Sequence, residues 1–122
     1  VVLDSIADSR STRDVTWIFT DQQSSSKNGT QAATDYLAAA RKCGSPFVSI
    51  ILHCGLDENI RRLTNCSRGG TNTKLTDESI LRNIRDNEDI YRFGGELELE
   101  VDITAKSPDA AAQEIERFLS TA

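Results

Sequence analysis

Four groups of side chains in this sequence have the types and spacing to do chemistry. Asp21 closes the run Val15-Thr16-Trp17-Ile18-Phe19-Thr20, and the carboxyl end of a parallel strand is where open α/β sheets place their ligands. An aspartate there also serves as a plain turn residue, because its side chain hydrogen-bonds the nearby backbone. Just downstream, Ser24-Ser25-Ser26-Lys27 precedes a helical pattern. Hydroxyls, backbone N–H groups and a helix dipole could hold an anion at Ser24 and Lys27, whereas most serine-rich loops are only solvated. Arg61, Arg62, Arg68 and Lys74 concentrate positive charge in an otherwise acidic chain and bracket Gly69-Gly70, whose backbone freedom suits a moving lid over 67–75. The plainer alternative is a solvated helix face followed by a loop. His53-Cys54 suggests a nucleophile or a ligand pair, but such a pair at a strand end is also ordinary packing, and there is no second histidine to act as base or ligand. Cys43, Cys54 and Cys66 are odd in number and have no CxxC spacing, so neither a disulfide framework nor a metal site is expected.

These groups need elements to hold them. The β-branched and aromatic residues between Asp14 and Asp21 read as a strand over 15–20. A polar loop over 22–30 leads to Ala33, Tyr36, Leu37 and Ala40, whose spacing predicts a helix over 31–43 that stops at Gly44. Pro46 opens a nearly continuous apolar run over 47–52, the pattern of a strand covered on both faces. Leu56, Ile60 and Leu63 define a short helix from near Asp57, with Arg61 and Arg62 on its polar side. Ile80, Leu81 and Ile84 share a face of the next helix, which starts near Thr76, with Asp77 and Glu78 favouring its N-terminal end. Leu97, Leu99, Val101 and Ile103 alternate with Glu98, Glu100 and Asp102, as in a half-exposed strand. Ser107-Pro108 is a helix start, and Ala111, Ile115, Phe118 and Leu119 form the buried face that follows. Val2, Leu3 and Ile6 suit a helix within 1–9, and Trp17, Tyr36 and Phe118 are expected in the core. Strands separated by helices imply a mainly parallel sheet. The expected fold class is therefore α/β, a three-layer sandwich with a short sheet of three strands, in one domain over 1–122.

The 122 residues are 38% hydrophobic and 27% charged, with 19 acidic against 14 basic side chains. That length can bury about two-thirds of its unfolded surface, and the low hydrophobicity of disordered chains is absent. A net charge of -5 argues against a general nucleic-acid partner, since neutralising phosphates needs surplus Lys and Arg. No apolar stretch approaches the roughly 20 residues that cross a bilayer, and the opening residues lack the order of a signal peptide. No membrane partner is expected, and a reduced, cytoplasmic setting fits the cysteine usage.

Taken in order, residues 15–119 resemble the C-terminal two-thirds of a small P-loop kinase. The group includes gluconate kinase-like, chloramphenicol phosphotransferase-like and zeta-toxin-like enzymes and, more closely, uncharacterised fungal AAA-type ATPase-like proteins. A strand ending in an acidic residue resembles 15–21, a second strand with an arginine-bearing helix and lid resembles 47–68, and a strand before a Ser-Pro helix start resembles 99–112. The resemblance implies an ATP-dependent phosphotransferase acting on a small molecule, with ATP and Mg²⁺ as cofactors. In it Asp21 would hold Mg²⁺-bound water or accept the acceptor's hydroxyl proton, and Arg62 and Arg68 would stabilise the transferring phosphoryl group. Arg61, Lys74, Thr104 and Ser107 would face the nucleotide, and Ser24 and Lys27 the substrate.

One departure is large: GxxxxGK followed by Ser or Thr occurs nowhere in these residues. That loop wraps phosphates in backbone N–H groups and supplies the lysine and the Mg²⁺-binding hydroxyl. Without it the resemblance implies ancestry rather than activity, and ATP is not expected to bind this chain tightly unless the loop lies upstream. A second reading, from another class, is a non-catalytic binding or assembly module that kept the fold. The partners expected are a nucleotide or phosphorylated small molecule and, because a sheet lacking its central strand leaves an open edge, a second copy or the missing N-terminal segment. Either would join near 15–20 or through the helix within 1–9.

Overall fold

Capping chemistry sets most of the element ends. The computed structural model describes residues 2–12, 14–65 and 75–122. In chain order it contains α1 (Val2–Asp8), a 3-10 turn (Arg10–Thr12), α2 (Lys27–Cys43), β1 (Ser49–His53), α3 (Leu56–Leu63), α4 (Glu78–Asn87), β2 (Glu98–Asp102) and α5 (Pro108–Thr121). Ser26 starts α2 by accepting the Gly29 N–H on its side chain, and Gly44 ends it in the left-handed region, at φ 70°. The helix therefore begins four residues before the expected Gln31, because the polar loop itself supplies the cap. Asp77 rather than Thr76 caps α4, accepting the N–H groups of Ser79 and Ile80 at 2.9 and 3.2 Å. The Ser79 hydroxyl, then these backbone bonds, hold the Asp77 carboxyl below its ordinary range. Ser107 caps α5, with Pro108 in the first turn, as its sequence predicts.

Among the described residues there is one sheet, made of β1 and β2. Ser49 donates to the Leu97 carbonyl at 2.9 Å and Ile103 to that of His53 at 2.8 Å, a register that advances the same way along both strands, so they are parallel. The chain is α/β with a two-stranded parallel sheet. The strand expected over 15–20 does not form, and Trp17 is not core: it is 46% exposed and Ile18 83% exposed. Strand propensity measures fit to a pleated, half-buried surface rather than a backbone state, and among the described residues no neighbouring strand provides that surface. β1 is not covered on both faces either, since Ile51 is buried while Leu52 is 46% exposed, the alternation of a strand with one face covered. Of the expected lid, residues 67–74, with Arg68 and Lys74, lie outside the described residues.

The chain forms two compact units. The first comprises Val1–Ser49 with Asp89–Leu97. In it α1 lies against α2, with Ala7 and Ala33 buried and Lys42 reaching Asp8 at 3.1 Å and Asp4 at 3.8 Å. These exposed ion pairs add little; burial of the apolar side chains does more. Residues 23–25 bridge to 89–91 through Ser25 N–H to the Asp89 carbonyl at 2.8 Å and Tyr91 N–H to the Gln23 carbonyl at 2.9 Å. The Phe93 ring meets both Phe47 and Tyr91 edge-on at 4.9 Å. The second unit comprises Ile50–Glu88 with Glu98–Ala122. There α3 contacts α4 and α5 contacts β2, around buried Ile51, Leu63, Val101 and Ala111.

Gly29, in the first turn of α2, lies against the backbone of Ser24 in the loop before the helix. A Cβ at that position would lie 2.1 Å from the Ser24 carbonyl oxygen and 2.7 Å from its nitrogen. Alanine inside a helix usually stabilises it by about 1 kcal/mol relative to glycine, but here backbone would have to move. Gly29→Ala is expected to destabilise by about 1–3 kcal/mol, the cost of overpacking, and thermal unfolding followed by circular dichroism checks the sign.

Candidate functional site

Beyond the backbone bond from Ile103 to His53, side chains tie the carboxyl ends of β1 and β2 together. Past β1, the Gly55 N–H donates to Thr104 Oγ1 at 2.9 Å. Past β2, both the hydroxyl and the backbone N–H of Thr104 donate to Asp102 Oδ1, the latter at 2.9 Å. This is an aspartate accepting from the backbone two residues on, a local turn that the sequence Asp102-Ile103-Thr104 could have signalled. The Thr104 hydroxyl first, then its N–H, keep the Asp102 carboxyl below its ordinary range, with smaller help from His53 and Lys106.

Two arginines close the cluster. From α3, Arg62 Nη2 donates to the Ile103 carbonyl at 2.8 Å and the Thr104 carbonyl at 3.3 Å, while its Nε donates to Glu58 at 2.9 Å. Arg61 Nε takes the other oxygen of Glu58 at 2.8 Å. The spacing Glu58, Arg61, Arg62 is i, i+3, i+4, which puts the acid and both bases on one helix face. The bond from Arg61 first, opposed by burial and then joined by the bond from Arg62, holds the Glu58 carboxyl down at about 2 from its ordinary 4.5. From α4, Arg85 Nη1 donates to the Cys54 carbonyl at 3.0 Å and to Asn59 Oδ1 at 3.1 Å. Arg85 was not a sequence candidate. Its neighbour Arg82 makes an exposed pair with Glu78 at 2.9 Å, and nothing in spacing distinguishes the two, so only tertiary structure shows which arginine meets the strand end.

Asp21, Ser24 and Lys27 belong to the first unit, whereas Arg61, Arg62, Thr104 and Ser107 belong to the second. Asp21 is exposed; it accepts the Gln22 N–H at 2.8 Å, the Gln23 side-chain amide, and the Tyr36 hydroxyl at 3.4 Å. Burial and, after it, the Asp21 charge raise the Tyr36 hydroxyl above its ordinary value. Ser24 pairs with Ile90 in an isolated antiparallel bridge and places its Oγ 2.6 Å from Ser26 Oγ. Lys27 is the exposed first residue of α2, and Ser107 caps α5 through Ala110 N–H at 3.1 Å. His53 is exposed at the end of β1 and Cys54 is half-buried. Among the described residues no group of three His, Cys, Asp or Glu side chains is placed to hold a metal ion, and no helix is long and apolar enough to cross a membrane.

A phosphate cradle needs donors aimed at the ligand, and here Arg62 Nε and Nη2, the Thr104 hydroxyl and the Arg61 guanidinium end on the protein's own acceptors. Comparison with protein-family models, with curated protein sequences and with solved structures finds no match.

The geometry sets two expectations. A carboxyl whose folded pKa is depressed contributes stability that is present above its unfolded pKa and lost as pH falls through the folded one. For Glu58 that window runs from 4.5 down to about 2, so acid unfolding should steepen there, and Glu58→Gln should flatten that part of the titration. Arg62→Ala frees two carbonyls and leaves Glu58 one partner short; it is expected to cost about 1–2 kcal/mol in urea unfolding, with Arg62→Lys recovering only part because an ammonium cannot span the same acceptors.

Proposed function

We propose that this chain is a P-loop kinase-like α/β domain that works, as these 122 residues, as a non-catalytic binding or assembly module. The fold proposed is a three-layer sandwich around a short, mainly parallel sheet. The observation that carries the reading is the direct sequence of a parallel strand, β1, an arginine-bearing helix, α3, and an arginine that reaches back to the carboxyl end of the next parallel strand. This is the order in which residues 47–112 resemble the kinase group. Two further points favour the non-catalytic role: the chain has no GxxxxGK[ST], and the site's guanidinium groups serve as ties within the protein. Side-chain arginines alone do not replace a preorganised cradle of backbone donors.

The second reading is an ATP-dependent small-molecule phosphotransferase completed by an upstream phosphate loop. It is favoured by the position of the cluster, since open α/β sheets bind ligands beyond the carboxyl ends of their strands. In that chain Asp21 would serve the acceptor, with Arg61, Arg62, Arg68 and Lys74 toward phosphate.

Assays with Mg-ATP separate the two. The 122-residue chain is expected to show turnover no higher than the uncatalysed background, and any affinity for ATP should be weak and fall with added salt, because exposed contacts are screened. In a two-dimensional NMR titration the shifts should fall on Arg61, Arg62, Arg68, Lys74 or residues 24–27. Mg²⁺-dependent turnover abolished by Asp21→Asn would replace the first reading with the second, and shifts confined to residues 96–102 would remove the nucleotide site from both.

A further inference from the structure

Four large apolar side chains that stand exposed fall within five residues: Val15 at 52%, Trp17 at 46%, Ile18 at 83% and Phe19 at 45%. Val15, Trp17 and Phe19 have the two-residue spacing of one face of a strand. The Trp17 and Phe19 rings stack 6.2 Å apart with planes 17° from parallel, close to the roughly 6.6 Å that two residues of a strand span. Phe19 is steadied from one side by the Tyr36 ring of α2, at 5.1 Å and 57°. Yet among the described residues no backbone hydrogen bond joins 15–20 to any other segment. The run has a strand's side-chain arrangement and an open backbone, the combination that templates pairing with another chain.

The flanking charges say what can pair. Asp14 and Asp21 bound the run. In an antiparallel pairing of two copies over the full run, Val15 faces Thr20 and Trp17 faces Ile18, so Asp14 of each copy faces Asp21 of the other at both ends. Like charges directly opposite are destabilising, and two chains that each carry a net -5 repel on approach. A strand with cations at the same two positions turns both repulsions into attractions. We propose that residues 15–20 accept, by strand addition, an extended segment of another protein that is β-branched in its middle and carries Lys or Arg at both ends, opposite Asp14 and Asp21. The backbone ladder and the apolar contacts supply affinity, and the end charges supply choice of partner. The proposal deepens the assembly reading and rests on it, but its test is separate from ATP turnover, so either can fail alone.

Trp17 is the sole tryptophan, so its emission reports directly on the site. The 122-residue chain would be titrated with two synthetic peptides, Lys-Thr-Val-Thr-Val-Thr-Val-Lys and the same sequence with Glu at both ends. The basic peptide should give a saturable blue shift and bind about fivefold or more tightly than the acidic one, a difference that shrinks at high salt. The double variant Asp14→Lys, Asp21→Lys should invert the preference. Ile18→Asp should leave the helical circular dichroism intact and abolish the shift. Equal binding of both peptides, no shift with either, or a concentration-dependent homodimer in light scattering that buries Trp17 would each overturn the proposal.

Discussion

A parallel pair of strands cannot be closed by a tight turn; its two members must be joined by a long crossover, and the loops leaving its carboxyl end need partners the ladder does not provide. With two strands among the described residues, this constraint falls on side chains. Arg62 meets it by binding two carbonyls beyond β2 while its Nε holds Glu58 on its own helix. Thr104 meets it from the other direction, joining the backbone past β1 to the carboxylate at the end of β2. Arg85 adds α4 to the same end. The crossover is thereby fastened at its exit and its return, and the small buried set of Ile51, Leu63, Val101 and Ala111 is enclosed by elements tied at their ends.

The same economy bears on function. A guanidinium that satisfies backbone carbonyls is committed, because leaving those acceptors empty costs more than the bond returns. Arg62, one of the two adjacent cations on α3, is therefore a residue that ties the fold, while Arg61 stays on its own helix with Glu58. Packing and ligand binding can draw on the same residue types, so an arginine beside a strand end does not by itself fix a function.

Residues 15–20 show the complementary case. Their apolar, β-branched character is costly to leave in water, and the contact from Tyr36 covers only part of it. A natural edge is usually blunted by charge within the strand, by proline or by a covering helix. Here the charges sit at the two ends instead, which leaves the middle open and makes the ends selective.

Local structure was legible in the sequence wherever the signal is local. Ser107-Pro108 and Gly44 mark helix ends through their own hydrogen bonds and backbone geometry, and the alternation from Leu97 to Ile103 marks a half-exposed strand, found as β2. Ser26 was legible in principle, but the polar residues after it masked the helix start. Of the residues that tie the strand ends, Arg62 stood out by its charge and place on the helix and Thr104 only through the family resemblance, while Arg85 did not stand out. What tertiary structure alone decided was pairing. Whether a β-prone run becomes a strand depends on a neighbour with an open edge, so 47–52 yielded β1, shifted to Ser49–His53, and 15–20 yielded none. Likewise a cation's chemistry depends on which acceptors arrive beside it from distant parts of the chain, and Arg62 meets Ile103 across 41 positions of sequence, a contact that no local spacing encodes.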